Sequence, residues 1–365
     1  IDQFIGAKRR PAAERDADDA EILASLARRA GEVEVRDTLT RGRSLSLSLA
    51  RDETFLRQLV EAVGKVSGHK LVVPRYQPRK KGKNERILNL LWSDLHFHSL
   101  LDPREVPVAF GAVEEARRLA ALCVQAAEYK RDHRDETTLV INLAGDIIQG
   151  MLGHDPRDGA PLAEQFAAAL YLLKQALGFL AGEFRHIEVH CVPGNHGRNI
   201  ARHIGRATHQ KWDSIENMLY SALKTAFMDV PNIKFDIPYR PYAIYDAFDN
   251  KVLVTHGDTV IKPGNPASSI DVKGLRQQIN EFNVPRKDAD KVSLFCVGHV
   301  HTASLIHLAG KTIFMSNGAL VPVDPFAQSV GIFDTTCGQQ MFESVPGKVV
   351  GDSRFVVVDE TTDKD

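Results

Sequence analysis

Apolar runs of four to six residues recur along the chain, and five of them end at histidine, aspartate or asparagine. These runs cover residues 87–92, 139–144, 187–192, 252–255 and 293–298. The polar segments that follow them are Asp94-Leu95-His96, Gly145-Asp146, Gly194-Asn195-His196, His256-Gly257-Asp258 and Gly298-His299-Val300-His301. Short apolar runs that end in glycine or aspartate are typical of buried strands, which deliver polar side chains to one edge of a sheet. The pattern therefore predicts a polar site assembled from five strand ends.

Longer stretches with helical periodicity alternate with the first three runs. Helices are predicted over residues 111–131, 162–184 and 212–227. Strands that alternate with helices of this length favour an α/β architecture with crossover connections. The later predicted strands come closer together, which favours a second sheet packed on the first. These strands cover residues 252–255, 293–298, 304–308, 312–315 and 331–334.

Residues 1–86 differ in pattern from the rest of the chain. Helical spacing covers 18–30 and 53–66, and strict alternation at 44–49 predicts a short strand with one solvent-facing side. The helix at 18–30 is interpreted as a packing or oligomer contact, which leaves a homo-oligomer open. We predict an N-terminal helical and basic extension over 1–86, with a linker near 74–86, followed by a domain over 87–365.

Residues 74–86 hold six basic residues and one acid, together with proline and glycine. Such a run is most often solvated coil, and contact with a phosphate backbone is the alternative. The net charge of −1 gives no overall attraction to nucleic acid, so any affinity for DNA must come from a local patch. The candidates for DNA contact are Arg79, Lys80, Lys81, Lys83 and Arg86.

The composition is that of an ordinary soluble globular protein, since 43% of the 365 residues are hydrophobic and 25% are charged. The four cysteines are far apart in sequence and form no C-x-x-C pair, so a reducing, cytoplasmic setting fits best. No stretch approaches the length of a membrane span and no signal-peptide pattern opens the chain, so no membrane partner is expected.

Hydrolysis of phosphate esters by two metal ions needs carboxylate and imidazole ligands, one carboxylate that bridges the ions, and open positions for water and phosphate. A separate imidazole that protonates the leaving oxygen adds to the rate. The five polar segments supply these carboxylate and imidazole ligands and the separate imidazole. Single histidines are more often hydrogen-bonded core residues than ligands, but several of them at strand ends favour metal binding.

The order D-x-H, G-D, G-N-H, lone histidine, G-H-x-H resembles the motif order of the calcineurin-like metallophosphoesterase superfamily. The resemblance covers about residues 87–335. It implies an α/β fold of two packed mixed β-sheets flanked by helices, a four-layer αββα sandwich. It also implies a metal-dependent phosphoric ester hydrolase. Phage-encoded members and the nuclease subunit of double-strand-break repair complexes look similar to this chain.

The resemblance implies a role for each residue that matches the motifs. One metal would be held by Asp94, His96, Asp146 and His301. Asp146 would bridge to a second metal held by Asn195, His256 and His299. His196 would lie beside the scissile phosphate as general acid, and a hydroxide that bridges the metals would attack phosphorus. The cofactors expected are two divalent metal ions, with Mn²⁺ favoured and Fe, Zn²⁺ or Ni²⁺ as alternatives.

The chain departs from the pattern after His196, where many members carry an acid that orients this histidine. Gly197 and Arg198 stand here, which leaves open how His196 is held. Arg198, or Arg202, is a candidate for contact with the substrate phosphate. The G-D-x-x-D-R-G element of serine/threonine protein phosphatases is absent, because Ile-Ile-Gln-Gly follows Asp146.

Several residues near the motifs keep two interpretations. His98 and His154 either line the cleft or are core histidines. Asp258 is either an acceptor for a ligand imidazole or a turn residue. Residues 258–291 form either a substrate-facing loop or an extended connection.

The resulting functional hypothesis is a dimetal phosphodiesterase that acts on DNA or nucleotides. A phosphomonoesterase for a small metabolite or phosphoprotein is the second hypothesis, and a scaffold module with a degraded site is the third.

Overall fold

Two mixed β-sheets form the centre of the part of the chain that the computed structural model describes. It describes residues 76, 85–102, 104–106, 110–133, 136–151, 159–199, 211–264, 270–308, 310–329 and 336–358. The elements predicted at 18–30, 44–49, 53–66 and 331–334 lie outside the described residues, and so does most of the proposed N-terminal extension.

The described elements follow the predicted alternation of strands and helices. The strands are β1 (Glu85–Trp92), β2 (Glu136–Leu143), β3 (Ile187–Cys191), β4 (Ile233–Asp236), β5 (Tyr242–Ala247), β6 (Asn250–Thr255), β7 (Val292–Val297), β8 (Ser304–His307), β9 (Ile313–Ser316), β10 (Gly338–Ser344) and β11 (Ser353–Val357). The helices are α1 (Ala112–Asp132), α2 (Leu162–Glu183), α3 (Ile215–Ala226), α4 (Val272–Asn283) and α5 (Pro325–Ser329), with a 3-10 turn at Asp288–Asp290.

Parallel pairing dominates the middle of each sheet. The first sheet has the order β11-β10-β1-β2-β3-β4, in which β1 to β4 are parallel. Strand β10 pairs antiparallel with β1, and β11 pairs antiparallel with β10. The second has the order β5-β6-β7-β9-β8, in which β6, β7 and β9 are parallel and the two edge strands run antiparallel. Both sheets are therefore mixed, as predicted.

The central strands are buried on both faces, which explains their continuous apolar runs. In β1, Leu88 and Leu90 pack with the helices, whereas Leu91 points into the core between the sheets. In β7, Leu294 faces the core between the sheets and Phe295 faces a separate cluster with α4. Helices α1, α2 and α3 cover the first sheet and α4 covers the second, so the predicted four-layer αββα sandwich is confirmed.

Helix α4 lies inside the 258–291 stretch, where the sequence predicted only a loop or a connection. Two buried side chains one helical turn apart, Leu275 and Ile279, hold it against the second sheet. Its first turn is capped by Asp271, whose carboxylate accepts a 2.9 Å hydrogen bond from the Gly274 amide. Leu275, Ile279 and Phe282 recur at helical spacing, so the sequence does carry an amphipathic pattern here and the prediction of a loop or a connection was incomplete.

Arg86, which belongs to the predicted basic arm, is part of β1 rather than of an exposed coil. Its guanidinium pairs with Glu343 of β10 and donates to the Tyr129 hydroxyl at 3.2 Å. The other four candidate DNA contacts lie outside the described residues.

No helix in the described ranges is long and apolar enough to cross a membrane. The four cysteines are buried and form no disulfide.

Polar side chains cross the core between the two sheets at one point. The Tyr245 hydroxyl of β5 donates to the Asn89 side-chain oxygen at 2.8 Å and accepts from the Asn142 side-chain amide at 3.2 Å. The Tyr245 ring also stacks on His190, with 4.5 Å between ring centroids. The hydroxyl therefore links two buried amide side chains of the first sheet to the second sheet.

We predict that Tyr245→Phe lowers the free energy of unfolding by about 1–3 kcal/mol, because buried amide groups lose their partner while the ring stays in place. Urea unfolding followed by circular dichroism measures the change. Tyr239→Phe is the matched control, since Tyr239 is 83% exposed and its hydroxyl can bond to water. Equal stabilities of the two variants would contradict the prediction.

Candidate metal centre

The five polar segments meet at one edge of the sandwich, beyond the carboxyl ends of parallel strands. Asp94 and His96 follow β1, Asp146 follows β2, and Asn195 and His196 follow β3. From the second sheet, His256 follows β6, and His299 and His301 follow β7. Crevices at the carboxyl ends of strands are the usual ligand sites of open α/β sheets. The sites predicted on separate strands are thus brought together.

The backbone at these strand ends adopts left-handed conformations. Non-glycine residues rarely have positive φ, and each such residue costs on the order of 1–3 kcal/mol unless its surroundings impose it. Five candidate ligands have φ between 47° and 70°: Asp94, His96, Asp146, His299 and His301. The concentration of these conformations at one place indicates that the fold forces the turns that aim the side chains inward.

Two glycines of the motifs allow the strand ends to approach each other. Gly145 has a φ of 87°, and a Cβ there would lie 2.5 Å from the Gly194 nitrogen. Gly194 has an ordinary φ, but a Cβ there would lie 2.0 Å from Oδ1 of Asp146. Gly145 therefore permits a left-handed turn, whereas Gly194 is required for space.

One group of possible metal ligands consists of Asp94, His96 and His301. Their ligand atoms lie within 4.8 Å of one another. The Nε2 atoms of His96 and His301 are 3.3 Å apart, and Nε2 of His301 is 3.3 Å from Oδ1 of Asp94. This is the set that the resemblance implies for the first metal, apart from Asp146.

A second group consists of Asp146, His256 and His299, again within 4.8 Å. Nε2 of His256 lies 3.0 Å from Oδ2 of Asp146 and 3.1 Å from the side-chain oxygen of Asn195. Asp146 also forms a group with His96 and His196. Asp146 therefore stands between the two halves of the centre, where a bridging carboxylate would have to lie.

The donor set fits divalent cations. Nδ1 of His96 donates to the side-chain oxygen of Gln149 at 2.9 Å, and Nδ1 of His256 donates to the Ala144 carbonyl at 2.9 Å. An acceptor at Nδ1 places a proton on that nitrogen, which leaves the Nε2 lone pair free for a metal. Imidazole, carboxylate and amide ligands of this kind suit Mn²⁺, Fe, Zn²⁺ and Ni²⁺.

The charges of the centre are strongly coupled. Burial alone would raise the pKa of Asp146, but the charges of His256 and His196 outweigh it and hold this pKa well below the ordinary value. Burial also opposes protonation of His256, yet Asp146 raises the pKa of His256 to about 10. Burial and then the charge of His256 lower the pKa of His299 to about 4. A cation in this position would take the place of the proton on His256.

His196 is held without an acid in the next position. Its Nδ1 donates to the Gln149 carbonyl at 2.6 Å, and its backbone amide donates to Oδ1 of Asp146 at 2.8 Å. Its Nε2 lies 3.8 Å from Oδ2 of Asp146. These contacts hold the His196 ring in place, although Gly197 rather than an acid follows it. That His196 acts as an acid rather than as a ligand stays a prediction.

Other residues named from the sequence have different surroundings. Arg198 is half-buried and its backbone bridges to Ser214 near the start of α3, and its contact with phosphate stays a prediction. Nδ1 of His98 lies 3.3 Å from the buried carboxylate of Glu115, so this histidine pairs with α1. His154 and Arg202 lie outside the described residues.

Asp258 does not accept from the His256 imidazole, which uses the Ala144 carbonyl. The Asp258 carboxylate instead pairs with the buried Lys211 ammonium at 2.5 Å. Lys211 also donates to the Pro193 carbonyl at 2.9 Å, so this ion pair connects the turn after β6 to the turn after β3.

Two buried residues at the centre were not identified from the sequence. Gln149 binds His96 through its side chain and His196 through its carbonyl. Glu216, from the first turn of α3, accepts from the backbone amides of Ile147 and Gly194. Burial, followed by the charge of Asp146, raises the pKa of Glu216 to about 7. Neither residue belongs to a motif, and only Gln149 is near one in sequence.

Comparison with known proteins gives structural likenesses at low identity. No protein-family model and no curated protein sequence matches the chain. Solved structures similar to it include a dimetal phosphatase from Danio rerio, at 13% identity over 74% of this chain and 99% of that chain, with a TM-score of 0.35. A putative 5'-nucleotidase from Staphylococcus aureus is 12% identical over 76% of this chain and 55% of that chain, with a TM-score of 0.33.

A mutant of Vps29 from Entamoeba histolytica is 11% identical over 74% of this chain and 98% of that chain, with a TM-score of 0.29. At these identities and TM-scores, any assignment of function rests on the geometry of the centre itself.

We predict that Gln149→Leu lowers the affinity for Mn²⁺ by about 10- to 100-fold, because His96 loses the acceptor that orients its ring. Isothermal titration calorimetry with Mn²⁺ measures the affinity. Gln149→Glu is the control, since it keeps an acceptor for Nδ1 of His96. It should therefore bind Mn²⁺ more tightly than Gln149→Leu does. Equal affinities of wild type and Gln149→Leu would show that His96 is oriented otherwise.

Proposed function

We propose that the chain is a metal-dependent phosphoric ester hydrolase that holds two divalent cations and cleaves phosphodiesters of DNA or nucleotides. One observation carries the proposal. Seven side chains of ligand type, from five strand ends, converge in two groups on either side of Asp146. A structural core has no need for so many imidazoles and carboxylates in one place, because burying them is unfavourable.

In this proposal Asp94, His96 and His301 hold one cation, His256, His299 and Asn195 hold the other, and Asp146 binds both. When bound, two such cations polarise phosphoryl oxygens and lower the pKa of water enough for attack at neutral pH. Mn²⁺ is the first candidate, and Fe, Zn²⁺ and Ni²⁺ suit the same ligands.

His196 acts on the leaving group. In the protonated ring both nitrogens carry hydrogen, and the Nδ1 proton is bound by the Gln149 carbonyl. This bond fixes the orientation of the ring and turns Nε2 toward Asp146 and the centre. The Nε2 proton is then available to the leaving oxygen of an ester that reaches the centre.

Exposed basic residues in the segment after His256 support a polyanionic diester as the substrate. The segment after His256 carries exposed cationic side chains on the second sheet's side of the molecule: Lys262, Lys273, Arg276 and Lys287. The predicted basic arm would add Arg79, Lys80, Lys81 and Lys83. Cations in such positions attract a phosphate backbone without reading its sequence. The four buried cysteine thiols, which form no disulfide, support a reducing, cytoplasmic location.

With Mn²⁺, we expect faster hydrolysis of bis-p-nitrophenyl phosphate than of p-nitrophenyl phosphate, measured as release of p-nitrophenolate. Asp146→Asn should abolish this activity, because a neutral amide cannot serve as the shared carboxylate. Unchanged activity of Asp146→Asn would rule out the proposed centre.

A panel of nucleotides, single- and double-stranded DNA and phosphopeptides then identifies the substrate class. Preference for the monoester would favour a phosphomonoesterase instead. Failure to cleave either model ester, together with failure to bind Mn²⁺, would favour a scaffold module.

For His196→Ala we expect turnover to fall by about 10²- to 10⁴-fold, the usual contribution of a general acid, while the Mn²⁺ content is retained. Kinetics on the diester and metal analysis of the same sample provide the two readouts. Loss of both turnover and metal would mean that His196 is a ligand.

A further inference from the structure

Gly197, directly after His196, faces the side chain of a residue from a distant element. A Cβ at position 197 would lie 2.5 Å from Cγ and 3.0 Å from Cδ of Glu216. The space beside the G-N-H turn is therefore filled by Glu216, which leaves no room for a side chain at 197. Where the motif has Gly197 instead of an acid, the side chain of Glu216 from α3 occupies the adjacent space.

The start of α3 is attached to the same turn by its backbone. The Ile215 amide donates to the Gly197 carbonyl at 2.8 Å, and Arg198 bridges to Ser214. Ser214 also caps the helix, since its hydroxyl accepts from the Asn217 amide at 3.2 Å. These contacts determine the position from which Glu216 reaches the centre.

The carboxylate of Glu216 binds two backbone amides from two different strand ends. Oε2 accepts from Gly194, at 2.6 Å, and Oε1 accepts from Ile147. Ile147 follows Asp146 directly, and Gly194 precedes Asn195 directly. One carboxylate therefore joins the turn that carries the central aspartate to the turn that carries Asn195 and His196.

Helix formation by itself does not account for a carboxylate at this place. An acid in the first turn favours a helix through the dipole, but a half-buried acid such as Glu164 in α2 does the same. Glu216 is 0% exposed, and neither amide that it binds belongs to α3. Burying a carboxylate is unfavourable, and the two amide hydrogen bonds offset part of that cost.

We propose that Glu216 is a positioning residue of the metal centre, which sets the distance between Asp146 and the Asn195-His196 turn through the amides of Ile147 and Gly194. The expected effect on catalysis rests on the proposed function, whereas the two hydrogen bonds do not depend on it. In Glu216→Gln, one carboxylate oxygen becomes an NH₂ group that faces a backbone N–H, so one bond is lost without a change of volume.

Amide hydrogen exchange tests the bonds themselves. In Glu216→Gln we expect exchange at Ile147 or Gly194 to accelerate by at least about tenfold, with no change at Val189 inside β3. Glu164→Gln, in the first turn of α2, is the control and should leave Ile147 and Gly194 unchanged. Unchanged exchange at both amides, or the same acceleration at Val189, would overturn the inference.

Mn²⁺ titration and kinetics on bis-p-nitrophenyl phosphate test the positioning. We expect Glu216→Gln to lower the Mn²⁺ affinity and kcat by about tenfold or more, with KM nearly unchanged. Faster exchange with wild-type Mn²⁺ affinity and kcat would overturn the positioning role. If the wild-type protein neither binds Mn²⁺ nor cleaves the diester, the proposed function fails, and the exchange data still decide whether Glu216 joins the two turns.

A second pair of variants tests the shared space. Gly197→Ala should disturb the centre in the wild-type background, because the new methyl group meets Cγ of Glu216. In the Glu216→Ala background, Gly197→Ala should cause a clearly smaller further loss of stability and Mn²⁺ affinity, because only Cβ of residue 216 then lies near the new methyl group, at 3.2 Å. Additive losses would show that Glu216 does not occupy the space beside residue 197.

Discussion

Buried negative charge at the ends of two neighbouring strands is the constraint on which the centre depends. Asp94 and Asp146 follow β1 and β2 and are almost fully buried. Ionised carboxylates in such surroundings require compensation by cations or strong hydrogen-bond donors. Here backbone amides from other strand ends supply part of it: the His299 amide lies 3.0 Å from both oxygens of Asp94, and the His196 amide binds Asp146. The remaining compensation comes from imidazoles, and in the proposed enzyme from two cations.

The left-handed backbone at the strand ends is held by hydrogen bonds between the turns. The amides of Asp94 and His96, both at positive φ, donate to the carbonyls of Gly145 and Asp146, and the His299 amide donates to the Asp94 carboxylate. The turns must also approach closely, which explains glycine at 194 against the Asp146 carboxylate. Turns of this kind are locally unfavourable, and the two packed sheets and their helices hold them in place.

The central elements of the fold could be predicted because their signal is local. Strands β1, β2, β3, β6 and β7 are buried on both faces and give continuous apolar runs. Strand β10 was not identified, although it lies beside β1, because polar side chains are buried in it. Gln339 accepts from the Asn317 amide at 2.7 Å and from the Ser93 amide at 2.9 Å. A sequence cannot distinguish such a glutamine from an exposed one, since its partners are distant along the chain.

The sequence by itself determined the chemical identity of the centre: which side chains stand at strand ends, and therefore that carboxylates, imidazoles and one amide would meet at one edge. That information is local, because a ligand and the strand that delivers it are neighbours in the chain. Only the tertiary structure decided how these groups are oriented. Gln149 reaches His96 across 53 positions, and Glu216 reaches Ile147 across 69. Such contacts depend on how the strands pair and how α3 docks, and no local pattern records them.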